Sequence, residues 1–211
     1  KVTADFQFTN PGELSGTLSY TSPKYTVAGD VISTDINLTI KVDDTEVKNI
    51  NVSPGETGSI TLSLEEGDHI IVVTPSNDYG EGEKTYLNVY AGIDIPKAVK
   101  NLKFDISSSG IATLTWDPVS EGVHNGYLPT EQIRYKVVRN NQSVVAEAMT
   151  TTSFSEQLGE EIANYNYTIT PYLLDGKEGL PTTTQNIKYG SYVGFPYFED
   201  FESQANVLNN Y

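Results

Sequence analysis

The chain has 211 residues, enough for one large domain or two of about 100 residues each. Thirteen basic residues stand against 28 acidic ones, a formal charge of −15; such a surface repels phosphate backbones and anionic lipid, so nucleic acid is excluded as an expected partner. With no cysteine, disulfides, thiolate metal sites and cysteine nucleophiles are excluded too.

No apolar run is long enough to span a membrane. No basic segment followed by an apolar stretch opens the sequence, so any export signal is expected to be absent from it. The 14 Tyr, 17 Gly and 10 Pro suit short strands broken by turn formers.

Taken in chain order, Phe6 and Phe8 begin a series of apolar residues at period two, the mark of half-buried strands. GTLSY follows at 16–20, then Leu38, Ile40 and Val42 within LTIKV. Asp43-Asp44 stands between strand-like flanks. Both residues tolerate positive φ, so a tight hairpin is expected there. Ile60, Leu62 and Leu64 continue the alternation, and Thr74-Pro75 leads into SNDYGEGE at 76–83. That stretch resembles a calcium loop only loosely: Asp78, Glu81 and Glu83 lack the alternating ligand spacing and closing Glu of an EF-hand. A plain hairpin loop is the simpler expectation.

The second half repeats the first, and such self-similarity organises the whole reading. ATLTW at 112–116 stands 96 positions after GTLSY; Thr170-Pro171 and Gly176 stand at the same offset from Thr74-Pro75 and Gly80. IRYKV at 133–137 matches LTIKV with a one-residue slip, and Asn140-Asn141 supplies the second hairpin turn. Two strand modules of roughly 95 residues follow, joined near AGIDIPKAVKN at 91–101. The expected division is 1–93, 94–190 and an aromatic tail at 191–211.

The second module resembles a fibronectin type III domain. The resemblance is carried by Ala98, Val99 and Leu102 in a first strand, and by Leu114 to Pro118 closing a second. Tyr135, Val137 and Arg139 form a third, and Leu158 with Tyr165, Tyr167 and Ile169 the sixth. It implies an all-β fold of two tandem immunoglobulin-like antiparallel sandwiches, with the lone Trp116 between the sheets and Tyr165 at the corner before the sixth strand. Leu114 and Trp116 also share one face by alternation. The first module is the divergent copy: Tyr20 replaces Trp116, and the offset sets His69 opposite Tyr165, a structural position from which imidazole reaches backbone. His124, in EGVHNGYL, is expected to face solvent.

A narrower resemblance lies in AGIDIP, WDPVSEGVHNGY and the final YVGFPYFEDFES. These are similar to secreted or surface multidomain proteins of Bacteroidetes bacteria, in which such modules precede a jelly roll of the cleaved-adhesin or choice-of-anchor class. PYFEDFES at 196–203 is similar to the first strand of that jelly roll. The resemblance implies an exported protein acting outside the cell or on its surface.

No catalytic residue, cofactor or metal is expected. A Ser/His/Asp set needs three groups brought together, and both histidines have other readings. Glu65-Glu66, Glu160-Glu161 and Asp43-Asp44 fall in turns where nothing raises a carboxylate pKa. Tyr25, Tyr79, Tyr86, Tyr127 and Tyr172 fall in or near loops, where a sandwich carries recognition. Of these Tyr25, Tyr79, Tyr127 and Tyr172 are the expected ligand contacts, since a phenol ring offers a flat apolar face and a hydroxyl. The alternative is that they pack against the neighbouring module. The expected function is non-catalytic: spacing and presenting a C-terminal adhesion or binding domain, with protein or glycan partners at the cell surface. The alternative function is a carbohydrate-binding accessory region of a polysaccharide-degrading enzyme or glycan-utilisation system. The aromatic tail is expected to pair with an exposed sheet edge, its own or another chain's.

Overall fold

The computed structural model describes residues 1–190. The tail, with its expected jelly-roll strand and edge pairing, lies outside the described residues. In the first half the strands are β1 Thr3–Phe8, β2 Ser15–Thr21, β3 Ile36–Val42, β4 Thr45–Val52, β5 Thr57–Ser63, β6 Gly67–Asn77, β7 Gly80–Glu81 and β8 Thr85–Ala91. In the second they are β9 Lys103–Ile106, β10 Ile111–Thr115, β11 Ile133–Arg139, β12 Ser143–Met149, β13 Ser153–Gln157, β14 Ala163–Tyr165, β15 Tyr167–Leu173, β16 Thr182–Thr183 and β17 Ile187–Tyr189. The only helix among the described residues is one 3₁₀ turn, Thr130–Gln132.

Each half is an antiparallel sandwich with the same strand order. In the first, the sheet β1-β2-β5 faces β4-β3-β6, with β8 on the far edge of β6; in the second, β9-β10-β13 faces β12-β11-β15-β16. That is an immunoglobulin-like arrangement, with alternate side chains of both sheets meeting in between. Leu18, Leu38, Ile40, Ile71 and Val73 fill the first core, each fully buried. Leu114, Val137, Tyr167, Ile169 and Leu173 fill the second. Trp116 is 4% exposed and lies edge-on to Tyr135 at 5.4 Å, and Tyr20 sits in the first core at 7%. The Trp116 Nε1–H has no acceptor among the described residues.

Both hairpins turn through paired positive-φ residues: Asp43 and Asp44 at 50° and 67°, Asn140 and Asn141 at 52° and 54°. The repeat register differs from the sequence match at one place. Leu38 lies opposite Pro75 and Tyr135 opposite Pro171, so Leu38 corresponds to Tyr135 and not to Ile133. A two-residue shift keeps every side chain on its own face, which is why alternation alone did not detect it. Leu158 belongs to the loop after β13, where its N–H donates to Gly110 O, and not to the sixth strand. It is buried there all the same.

Candidate functional site at the joint and the free end

The two sandwiches meet through a bonded joint centred on Asp94. Its carboxylate is fully buried, and each oxygen accepts two hydrogen bonds. Oδ1 takes Ile95 N at 2.8 Å and His124 Nδ1 at 2.7 Å; Oδ2 takes His124 N at 2.8 Å and Gly126 N at 2.9 Å. Burial opposes ionisation of Asp94, but the His124 imidazole and the three amides outweigh it and hold its pKa below the usual carboxylate value. Such an anion is stable only because every lone-pair direction is met.

The main chain is tied as firmly. Asp94 N donates to Tyr127 O, Val123 N to Ile95 O, Lys97 N to Glu121 O, and Leu180 N to Pro96 O. The segment entering the second sandwich is thus clamped between the loop from β10 to β11 and the loop after β15. Gly122 and Gly126 make the fit possible: a Cβ on Gly122 would fall 2.2 Å from Asp94 Oδ2, and one on Gly126 would fall 2.5 Å from the Tyr90 ring.

Across the joint, His124 stacks on Tyr90 of β8 at 4.7 Å and 5°. Its Nε2 stands 3.8 Å from Asp68 of β6. Lys177 pairs with Glu66 and donates to Ile93 O at 3.1 Å. Two residues gain partners here that the sequence did not show. His124 faces solvent as expected, its side chain 33% exposed, while Asp94 and Tyr90 fix it on two sides. Glu66 is exposed in its turn as expected, and the second sandwich supplies its counter-ion.

His69 lies in β6, its side chain 10% exposed, with Nε2 on Glu65 O at 2.8 Å and Nδ1 on Asp43 Oδ2 at 2.6 Å. Burial disfavours the cation, but Asp43 and the Glu65 carbonyl outweigh it and raise the His69 pKa. Sequence reasoning missed the Asp43 carboxylate, which it read as a turn residue alone; the signal was the offset that places a hairpin residue beside the start of the sixth strand. Tyr165 is buried at the equivalent place in β14.

The four tyrosines expected as ligand contacts divide. Tyr127 packs against Gly12 and Ile93 and lines the crevice at the joint. Tyr172 is on β15, not in a loop, and its hydroxyl accepts Ala148 N at 3.1 Å. Tyr86, also named for a loop, is on β8. Tyr25 and Tyr79, 53% and 89% exposed, are brought together. They flank one groove of about 280 Å³ at the end of the first sandwich remote from the joint, together with Lys1, Pro75, Glu81 and Glu83. Tyr79 sits in the hairpin Asn77↔Gly80, where its N–H donates to Asn77 Oδ1 in a local turn. Among the described residues no cluster of three or more metal-ligating side chains forms.

No family model and no curated protein matches this chain. Among solved structures it is similar to the FN1–FN3 domains of chicken CNTN1, at 12% identity and a TM-score of 0.35 over 89% of this chain and 67% of that one. It is also similar to the central fibronectin-III array of RIM-binding protein, at 16% identity and a TM-score of 0.37 over 90% and 62%. This chain therefore spans about two thirds of each array. Strand order and register define the fold independently of these likenesses.

Proposed function

We propose that this chain is a non-catalytic spacer of two sandwiches, 1–93 and 94–190, that holds a C-terminal adhesion or binding domain at a fixed distance and angle outside the cell or at its surface. The observation that supports this most is the set of contacts across the joint: the saturated Asp94 carboxylate holds His124, which stacks on Tyr90 of the first sandwich, and Lys177 pairs with Glu66. A flexible tether needs no such contacts, whereas a strut does, because it must resist hinge motion between modules. The resemblance of the tail to a jelly-roll strand supports the presenting role, and the acidic surface suits a soluble, non-sticking stalk. Small-angle X-ray scattering tests the reading. The wild-type protein should fit one fixed arrangement, and Asp94→Ala should broaden the distribution of distances. Wild-type data that require a freely hinged ensemble would reject the strut.

The alternative, a carbohydrate-binding accessory region, is favoured by a single observation: the exposed Tyr25 and Tyr79 share a groove. A glycan array probes it directly. Selective binding that disappears in Tyr79→Ala would support this alternative, and an array with no signal would remove it.

A further inference from the structure

The chain has two histidines and no cysteine, so imidazole is its one ligand of the kind that borderline metal ions prefer. The two rings are engaged differently. His69 uses both nitrogens within the first sandwich, Nδ1 on Asp43 and Nε2 on Glu65 O. His124 uses one. Its Nδ1 lies 2.7 Å from Asp94 Oδ1, and the four hydrogen bonds that Asp94 accepts leave it no proton to give. Nδ1 is therefore the protonated nitrogen, and the neutral ring carries its lone pair at Nε2.

Where that lone pair points is set by strand register. Asp68 of β6 lies opposite Tyr90 of β8, so the two side chains stand side by side on the outer face of the first sandwich, while His69 points to the other face. The His124 ring stacks flat on Tyr90, with 4.7 Å between centroids and 5° between planes. This brings Nε2 to 3.8 Å from Asp68 Oδ2, beyond hydrogen-bonding distance. With the ring neutral both atoms are acceptors, so neither satisfies the other. Asp68 pairs with no lysine or arginine among the described residues. Both side chains open on the crevice at the joint, about 380 Å³, with Asn88 and Tyr127 on its walls.

We propose that His124 Nε2 and the Asp68 carboxylate bind a divalent transition-metal ion of the zinc class across the joint. Such ions hold imidazole nitrogen at about 2.0–2.1 Å and carboxylate oxygen at about 2.0–2.2 Å. A separation of 3.8 Å therefore admits one ion, at an angle of about 130°. The tetrahedral angle is narrower, and rotation of the Asp68 side chain, 68% exposed, closes the difference. Asp94 stands to His124 as a carboxylate stands behind a metal-bound histidine: it fixes the tautomer and the ring plane and makes Nε2 more basic. Two side chains are fewer than a closed structural site needs, so water completes the shell and the ion exchanges. A hard cation such as calcium takes oxygen ligands and gains nothing from the imidazole. The two ligands come from different sandwiches, so the inference rests on the same contacts across the joint as the strut reading. The two fail separately, because scattering can report a fixed joint where no metal binds.

The test is an NMR titration of the full chain with zinc chloride at about pH 7.5, since protons compete with the metal for its ligands. It is read at the ring signals of the two histidines, and calorimetry follows the variants. Saturable one-to-one shifts are expected at His124, with a Kd tighter than about 1 mM, and much smaller ones at His69. His124→Asn keeps an N–H donor toward Asp94, removes Nε2 and should abolish binding. Asp68→Asn keeps the shape of an exposed side chain, removes its charge and should weaken binding about tenfold. Because Asp68 is exposed on its strand, that variant decides the matter even where His124→Asn loosens the joint. No saturable His124 shift with about 5 mM zinc overturns the proposal. Binding unchanged in Asp68→Asn means an adventitious ion on one imidazole only, and overturns it too. So does zinc binding at wild-type affinity in His124→Asn, or a calcium titration that moves the His124 ring as far as zinc does.

Discussion

At the start of the sixth strand the first sandwich carries His69 and the second Tyr165, and the hairpin residue facing that place differs with it. In both copies the hairpin side chain performs the same backbone task. Asp43 Oδ1 accepts Ile70 N at 2.9 Å, and Asn140 Oδ1 accepts Asn166 N at 2.9 Å. Where the ring is imidazole, the hairpin residue is a carboxylate whose second oxygen takes His69 Nδ1. Where the ring is a phenol, it is the neutral amide. Turn geometry favours Asp or Asn at positive φ, and the carboxylate stands in the copy that carries the histidine. The two copies share one backbone solution, and their side chains differ as linked pairs.

The largest separation between the copies is expected from their central aromatics. Trp116→Ala should destabilise the second sandwich by about 3 to 5 kcal/mol, and Tyr20→Ala the first by less, because a smaller ring leaves a smaller cavity. Tyr20 rests its hydroxyl end against Gly58. Urea denaturation followed by circular dichroism would show one transition moving and the other staying. A Trp116→Ala protein that still unfolds at the wild-type midpoint would contradict the core role.

Next comes the joint. Asp94→Ala leaves His124 and three amides without their acceptor, which should cost about 3 to 5 kcal/mol. Trp116 is the sole tryptophan and is buried in the second core, so its fluorescence reports that sandwich alone. A midpoint shift seen by fluorescence but absent from the first sandwich's transition would place the cost in the second module. Equal shifts in both would mean the two sandwiches unfold together.

Much of this was legible before any coordinates. Period-two alternation, the 96-residue offset and two Asx hairpins are local signals, and local signals survive in sequence. Burial of Trp116 followed from its face. The joint was not legible, because Asp94 and His124 look like ordinary loop residues until the linker is threaded between two loops. Gly122 and Gly126 bracketed His124 in plain view and were the available clue; their close approach to Asp94 and Tyr90 is visible only in the fold. The tyrosines could be named but not sorted, since exposure depends on which loop meets the neighbouring module.

A smaller effect isolates the shared hairpin task. Asn140→Gly and Asp43→Gly both keep a residue suited to positive φ while deleting the acceptor for the sixth strand. Asn140→Gly should cost about 1 kcal/mol. Asp43→Gly should cost somewhat more, because it also strips His69 of its carboxylate. Thermal denaturation of the two variants measures the difference, and equal costs would mean the His69–Asp43 contact contributes nothing.

The finest distinction is in pH. Hydrogen bonding from Ile70 N, and then from His69, holds the Asp43 pKa below its usual value. Its stabilisation is therefore present above the unfolded carboxylate pKa and is lost as pH falls through the folded one. His69 is shifted upward, so its contribution is fully present below the unfolded imidazole pKa and is lost as pH rises through the folded value. The pair stabilises most where both conditions hold, between about pH 4.5 and 6. The second sandwich has an amide and a phenol at these places and should show no such maximum from them. Because the Asp43 side chain is 49% exposed, the gain should stay within about 1 kcal/mol and shrink with added salt. Stability of the first sandwich measured across pH 4 to 8 should thus fall above neutrality in the wild type, and that fall should vanish in His69→Gln. A decline that persists in His69→Gln would assign it to other groups and leave the pair with a purely geometric role.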